Sequence, residues 1–152
     1  MAGGKLDGLV TCAGVSVPFN PKLMLSINWF GTMELLDGLK DALAKGNENS
    51  YVVAVSSNST TITPNIPDEL VNSCLARDEP TAYELLDALD SPLDMAISYA
   101  ASKLAVARYV RVNFTIRRLG RKWNSFKRYL SRSNHDPVAQ KQYKRSYIWA
   151  CC

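Results

Sequence analysis

Two short apolar runs, Leu6 to Cys12 (Leu-Asp-Gly-Leu-Val-Thr-Cys) and Tyr51 to Val55 (Tyr-Val-Val-Ala-Val), are separated by a segment of helical period. That order leaves few folds open. Both runs are bounded by turn residues and have the length and β-branched content of strands buried on two faces. Between them, Ala13-Gly14 opens a turn, apolar positions Leu23, Ile27, Phe30, Leu35 and Leu39 recur near the helical spacing, and Gly46-Asn47 closes the segment. Strand, helix, strand predicts a parallel pair with a crossover helix, the unit of a doubly wound α/β sheet.

The second run leads into a polar stretch, Ser56 to Pro67, then an acidic segment, Asp68 to Asp94, in which Thr81 to Leu89 reads as a short helix. A third helix is expected from about Met95. It carries Tyr99-Ala-Ala-Ser-Lys103. Residues four apart on a helix share a face, so an ammonium at 103 can lower the pKa of a phenol at 99 while that phenol exchanges a proton with substrate. Alone, the spacing is as readily that of a solvated helix face. Ligands of doubly wound sheets sit beyond the carboxyl ends of the strands, and Cys12 and Ser57 fall at those ends.

With 47% apolar residues in 152, the chain has single-domain size and can bury one core. Apolar runs stop well short of a membrane span, and the N-terminus lacks a charged-then-apolar leader pattern, so a cytoplasmic location is expected. Cys12, Cys74, Cys151 and Cys152 show no Cys-x-x-Cys spacing and His135 is the only histidine; reduced thiols are expected, with neither a disulfide framework nor a metal site. The net charge of +4 is split unevenly. Residues 1–113 carry 8 Lys+Arg against 13 Asp+Glu, a net of −5; residues 114–152 carry 10 against 1, a net of +9.

Cys12-Ala13-Gly14 at a strand end, Asn28 in the next helix, Val-Ala-Val-Ser56-Ser57 and Tyr99-x-x-x-Lys103 appear in the order of landmarks in the short-chain dehydrogenase/reductase family, and together the chain resembles that family. The first matches the family's Asn-Asn-Ala-Gly turn with Cys12 in place of the second Asn. The 42 positions from Ser57 to Tyr99, long for the family, together with Cys12-Ala13-Gly14 further resemble the branch that includes bacterial 3α-hydroxysteroid dehydrogenase/carbonyl reductase. The resemblance implies a partial Rossmann-type parallel α/β sheet in residues 1–113 and hydride transfer between NAD or NADP and a carbonyl or secondary alcohol, with a hydroxysteroid among the substrates. Tyr99 would be the general acid/base, Lys103 would tune it and bind the nicotinamide ribose, Ser57 would hold the substrate oxygen, and Asn28 would complete a proton relay through water. Cys12, Ala13 and Gly14 would meet the cofactor with Tyr99 and Lys103, Cys12 through its backbone as a small buried hydrophobe. Homo-oligomers are also implied, with no membrane or nucleic-acid partner.

Two departures from the family pattern stand out. No Gly-x-x-x-Gly-x-Gly turn is present to cradle a pyrophosphate at a helix N-terminus, so the chain is expected to begin inside the family domain and to be a fragment of impaired activity. Two strands with helices on one side would leave one sheet face and both edges uncovered, an aggregation-prone arrangement. After the Tyr-Lys helix the family's Gly-Ile-Arg-Leu-Asn-x-Ile-x-Pro-Gly segment is missing. Read one nucleotide later, codons for Leu119 to Val138 permit Trp-Ala-Gly-Asn-Gly-Ile-Arg-Leu-Asn-Ala-Ile-Ser-Pro-Gly-Ala-Thr-Met-Thr-Pro-Leu, so residues 114–152 are expected to be an out-of-frame, poorly structured basic tail. The alternatives are an inactive remnant, or a genuine basic tail in which Arg117, Arg118, Arg121, Lys122, Lys127, Arg128 and Arg132, interleaved with Trp123, Phe126 and Tyr129, bind the phosphates and stack on the bases of a nucleic acid or bind another partner.

Overall fold

A computed structural model describes residues 4–47 and 50–113. Within them the order is β1 (Gly8–Thr11), α1 (Pro21–Leu25), a π-helical turn (Ser26–Gly31), α2 (Thr32–Ala44), β2 (Tyr51–Ala54), α3 (Ser59–Ile62), α4 (Asp68–Leu75), α5 (Glu79–Asp87) and α6 (Asp94–Asn113). The strands pair in parallel, with Gly8 opposite Tyr51 and Thr11 opposite Ala54. The expected partial doubly wound α/β arrangement is what the described residues adopt. The basic tail, residues 114–152, lies outside them.

Three of the helix starts have a local cause in sequence. Asn20 caps α1, its Oδ1 accepting from the Lys22 amide at 2.9 Å, and Pro21 supplies the fixed φ of a first helical position. Asp78 caps α5 in the same way through the Thr81 amide, 3.2 Å away. Asp68 and Glu69 place negative charge in the first turn of α4, where the helix dipole favours it.

Strand alternation decides which side of the sheet is covered. Leu9, Val52 and Ala54 face the helices and pack on the main core, which is built from Leu25, Trp29, Met33, Leu36, Leu70, Val71, Leu86 and Val106 with Ala101 and Ala105 of α6. Val10 and Tyr51 point the other way and are about half exposed. The small residues of α6 allow α1 and α4 to approach it closely, which places the C-terminal ends of both strands beside the N-terminal half of α6.

The helix expected over Thr81 to Leu89 is found two residues earlier, because the Asp78 cap and Pro80 start it there. Two features were not anticipated. α4 is an eight-residue helix whose four buried positions, Leu70, Val71, Ser73 and Cys74, include a hydroxyl that breaks the apolar pattern. The crossover helix is interrupted by the π turn, and Asn28 lies inside that turn.

Candidate active site

Lys103 is the centre of the site. Its side chain enters between the two strand ends and is only 5% exposed. The ammonium has a long 3.4 Å contact to the Val55 carbonyl and lies 6.0 Å from the centroid of the Tyr99 ring, one turn earlier on α6. Burial lowers the Lys103 pKa from its ordinary value, and the nearby Cys12 sulfur opposes that effect.

Ser56 and Ser57 follow β2 and are both buried, but their hydroxyls have different roles. Ser56 Oγ donates to the main-chain carbonyl of Lys103 at 3.0 Å, tying α6 to the strand end. Ser57 Oγ accepts from the Ser59 amide at 3.2 Å at the start of α3, which leaves its proton for another acceptor.

Asn28 is 1% exposed and its amide group is fully engaged. Oδ1 accepts from the Val15 amide at 2.8 Å; Nδ2 donates to the Val15 carbonyl at 2.9 Å and to Ser102 Oγ at 3.2 Å. Ser102 Oγ in turn donates to the Tyr99 carbonyl at 2.7 Å. The side chain therefore fastens the loop after β1 to the Tyr-Lys helix. The Asn28 main-chain carbonyl accepts from Thr32 Oγ1 at 3.0 Å.

Gly14 lies in that loop against two of these groups. A Cβ there would sit 2.9 Å from Asn28 Oδ1 and 3.1 Å from Lys103 Nζ. Gly14→Ala is expected to cost about 1–3 kcal/mol in urea unfolding, because the anchored amide must move to make room.

Cys12 requires a correction. The side chain is exposed, not a small buried hydrophobe, because alternation places it with Val10 on the uncovered sheet face. Cys74, in α4, is fully buried. Iodoacetamide at pH 8 is expected to modify Cys12 about a hundredfold faster than Cys74, read by peptide mass mapping.

All the residues singled out from the sequence, Cys12, Ala13, Gly14, Asn28, Ser57, Tyr99 and Lys103, lie on the loops after β1 and β2, on the π turn or on α6. The sequence reading missed Ser102. Its position three residues after Tyr99, on the same helical face, was the available signal.

No family model matches the sequence, and no curated protein matches it. Among solved structures, the chain is similar to the 3-alpha-hydroxysteroid dehydrogenase from Pseudomonas sp. B-0831 complexed with NADH, at 41% identity and a TM-score of 0.65. The match covers 73% of this chain. This chain resembles the short-chain dehydrogenase/reductases in both sequence and fold. It spans 42% of the length of that dehydrogenase. Among the described residues, no group of three or more His, Cys, Asp or Glu side chains could hold a metal ion, and no helix is long and apolar enough to cross a membrane.

Proposed function

We propose that this chain carries the catalytic residues of an NAD(P)-dependent oxidoreductase that interconverts a carbonyl and a secondary alcohol, with a hydroxysteroid as the substrate class suggested by its neighbour. The observation that carries this reading is the buried Lys103 ammonium, one helical turn from a tyrosine hydroxyl and beside the strand end that presents Ser57. A buried ammonium that has one long hydrogen bond among the described residues is costly to keep, and such groups gather where chemistry uses them.

In the reductive direction Tyr99 gives its phenolic proton to the carbonyl oxygen as that oxygen gains charge, and Lys103 stabilises the phenolate left behind. Ser57 donates its hydroxyl proton to the same oxygen and fixes the carbonyl plane. Asn28 holds the Gly14–Val15 loop against α6 and would complete a proton relay through water. A bound nicotinamide dinucleotide would supply or accept the hydride. The residues present fit its nicotinamide-ribose end: Gly14 keeps open a space beside the ammonium that a Cβ would fill, and among the described residues Lys103 has donors left after its contact to Val55. Cys12 and Ala13 would border that space through their backbone.

The same proposal takes the chain on its own to be of impaired activity, related to cytoplasmic homo-oligomers acting on small molecules, with residues 114–152 translated out of frame. Coding DNA whose codons cannot yield the shifted peptide overturns the last point.

The test is a titration of the folded chain with NADH and with NADPH, following quenching of Trp29, Trp123 and Trp149 fluorescence. Saturable quenching supports a working nucleotide site. No response from a folded sample reduces the chain to an inactive remnant, and salt-dependent nucleic-acid binding without a nucleotide response favours the basic-tail reading.

A further inference from the structure

The residue after the α4 C-cap is normally glycine, because it takes a left-handed conformation. Here it is Arg77, with φ of 62°. The turn is a complete Schellman motif: the Arg77 amide donates to the Cys74 carbonyl at 2.9 Å and the Asp78 amide to the Ser73 carbonyl at 3.0 Å. A side chain in that conformation is strained, so what the guanidinium does there is informative. It pairs with Asp37 of α2 at 3.1 Å and lies 5.9 Å and 5.7 Å from the ring centroids of Trp29 and Tyr109. Those rings meet edge to face at 5.8 Å, and Trp29 Nε1 donates at 2.8 Å to the Cys74 carbonyl, the same oxygen that accepts from the Arg77 amide.

Trp29 is the residue next to Asn28 in the π turn, and it is completely buried. A π turn is a rare register that persists where its surroundings hold it. One side of this turn is held by Asn28 on Val15 and Ser102, the other by Trp29 on the Cys74 carbonyl in the last turn of α4. We propose that Arg77 is a positioning residue: by clamping Trp29 it keeps the turn in the π register and thereby aims the Asn28 amide at Val15. When the clamp is lost, the turn relaxes toward the α register and Asn28 rotates off the loop that carries Gly14.

The role of Asn28 in this inference rests on the dehydrogenase reading, but the test needs no turnover and so can fail separately. The Val15 amide donates to Asn28 Oδ1, so its hydrogen exchange in the folded full-length chain, resolved by NMR, reports the contact directly. Arg77→Gly removes the guanidinium while relieving the left-handed backbone. It is expected to speed Val15 exchange about tenfold and leave Ala101 and Ala105 in α6 within about twofold of wild type. Asp37→Asn, at an exposed position, keeps a folded protein available and is expected to speed Val15 about two- to threefold. Unchanged Val15 exchange in both variants overturns the proposal. So does equal acceleration at Val15 and throughout α6, which would make Arg77 a general stabiliser.

Discussion

Lys103→Met is expected to unfold at higher temperature than the wild-type chain and to lose saturable quenching by NADH. The two effects have one cause. Lys103 is 5% exposed and, among the described residues, its ammonium has one hydrogen-bond contact, of 3.4 Å, too long to be a strong one, so much of its desolvation is uncompensated. Methionine keeps the unbranched stem and removes the charge, which is expected to add on the order of 1–2 kcal/mol at neutral pH. The gain depends on pH in a definite sense. Burial depresses the folded-state pKa below the ordinary 10.5, so between the two values the unfolded chain binds more protons and wild-type stability recovers as pH rises. The advantage of the variant is complete below that interval and vanishes above it. Thermal unfolding of both proteins across the alkaline range reads this out; a variant less stable than wild type at pH 7 would show the ammonium to be well solvated or paired.

A stabilising substitution that removes binding marks a group retained for chemistry, and this agrees with how legible the site was. The strand ends, the Tyr99-to-Lys103 spacing and the turn at Gly14 could all be read from the sequence, because each depends on residues within a few positions of one another. The burial of Lys103 could not. The same spacing suits a solvated helix face, and only the packing of α6 against both strand ends separates the two. The π turn was equally hidden, since nothing in Ser-Ile-Asn-Trp-Phe-Gly marks a shift from the α register. Arg77 gave no turn signal because arginine has no intrinsic preference for positive φ; its conformation follows from Asp37 and the two rings it meets. The engagement of Asn28 with Val15 was invisible for a related reason, as it joins residues 13 apart through a loop without periodicity.

The second large effect concerns Cys74, which is 0% exposed in the core between α4 and the π turn. Burial pushes its thiol pKa from 9.0 up to about 12. The folded chain therefore keeps a proton that the unfolded chain has already lost, and the stability this represents is whole below pH 9 and disappears as pH rises from 9 toward 12. At about 1.4 kcal/mol per pH unit, wild type should lose about 2 kcal/mol relative to Cys74→Ala by pH 10.5 and about 4 kcal/mol by the end of the interval. Alanine costs some packing at neutral pH, so the two stability curves approach each other above pH 9 and then cross. Lys103 titrates in the opposite sense over an overlapping range, which flattens the wild-type curve. Each single variant uncovers the other group: Lys103→Met falls above pH 9, and Cys74→Ala rises toward 10.5. Tyr83, whose hydroxyl is raised by partial burial and by its bond to Glu79, is common to all three proteins and drops out of the differences. Urea unfolding from pH 7 to 11 measures the three curves, and a Cys74→Ala curve parallel to wild type throughout would mean that the thiolate reaches water without unfolding the core.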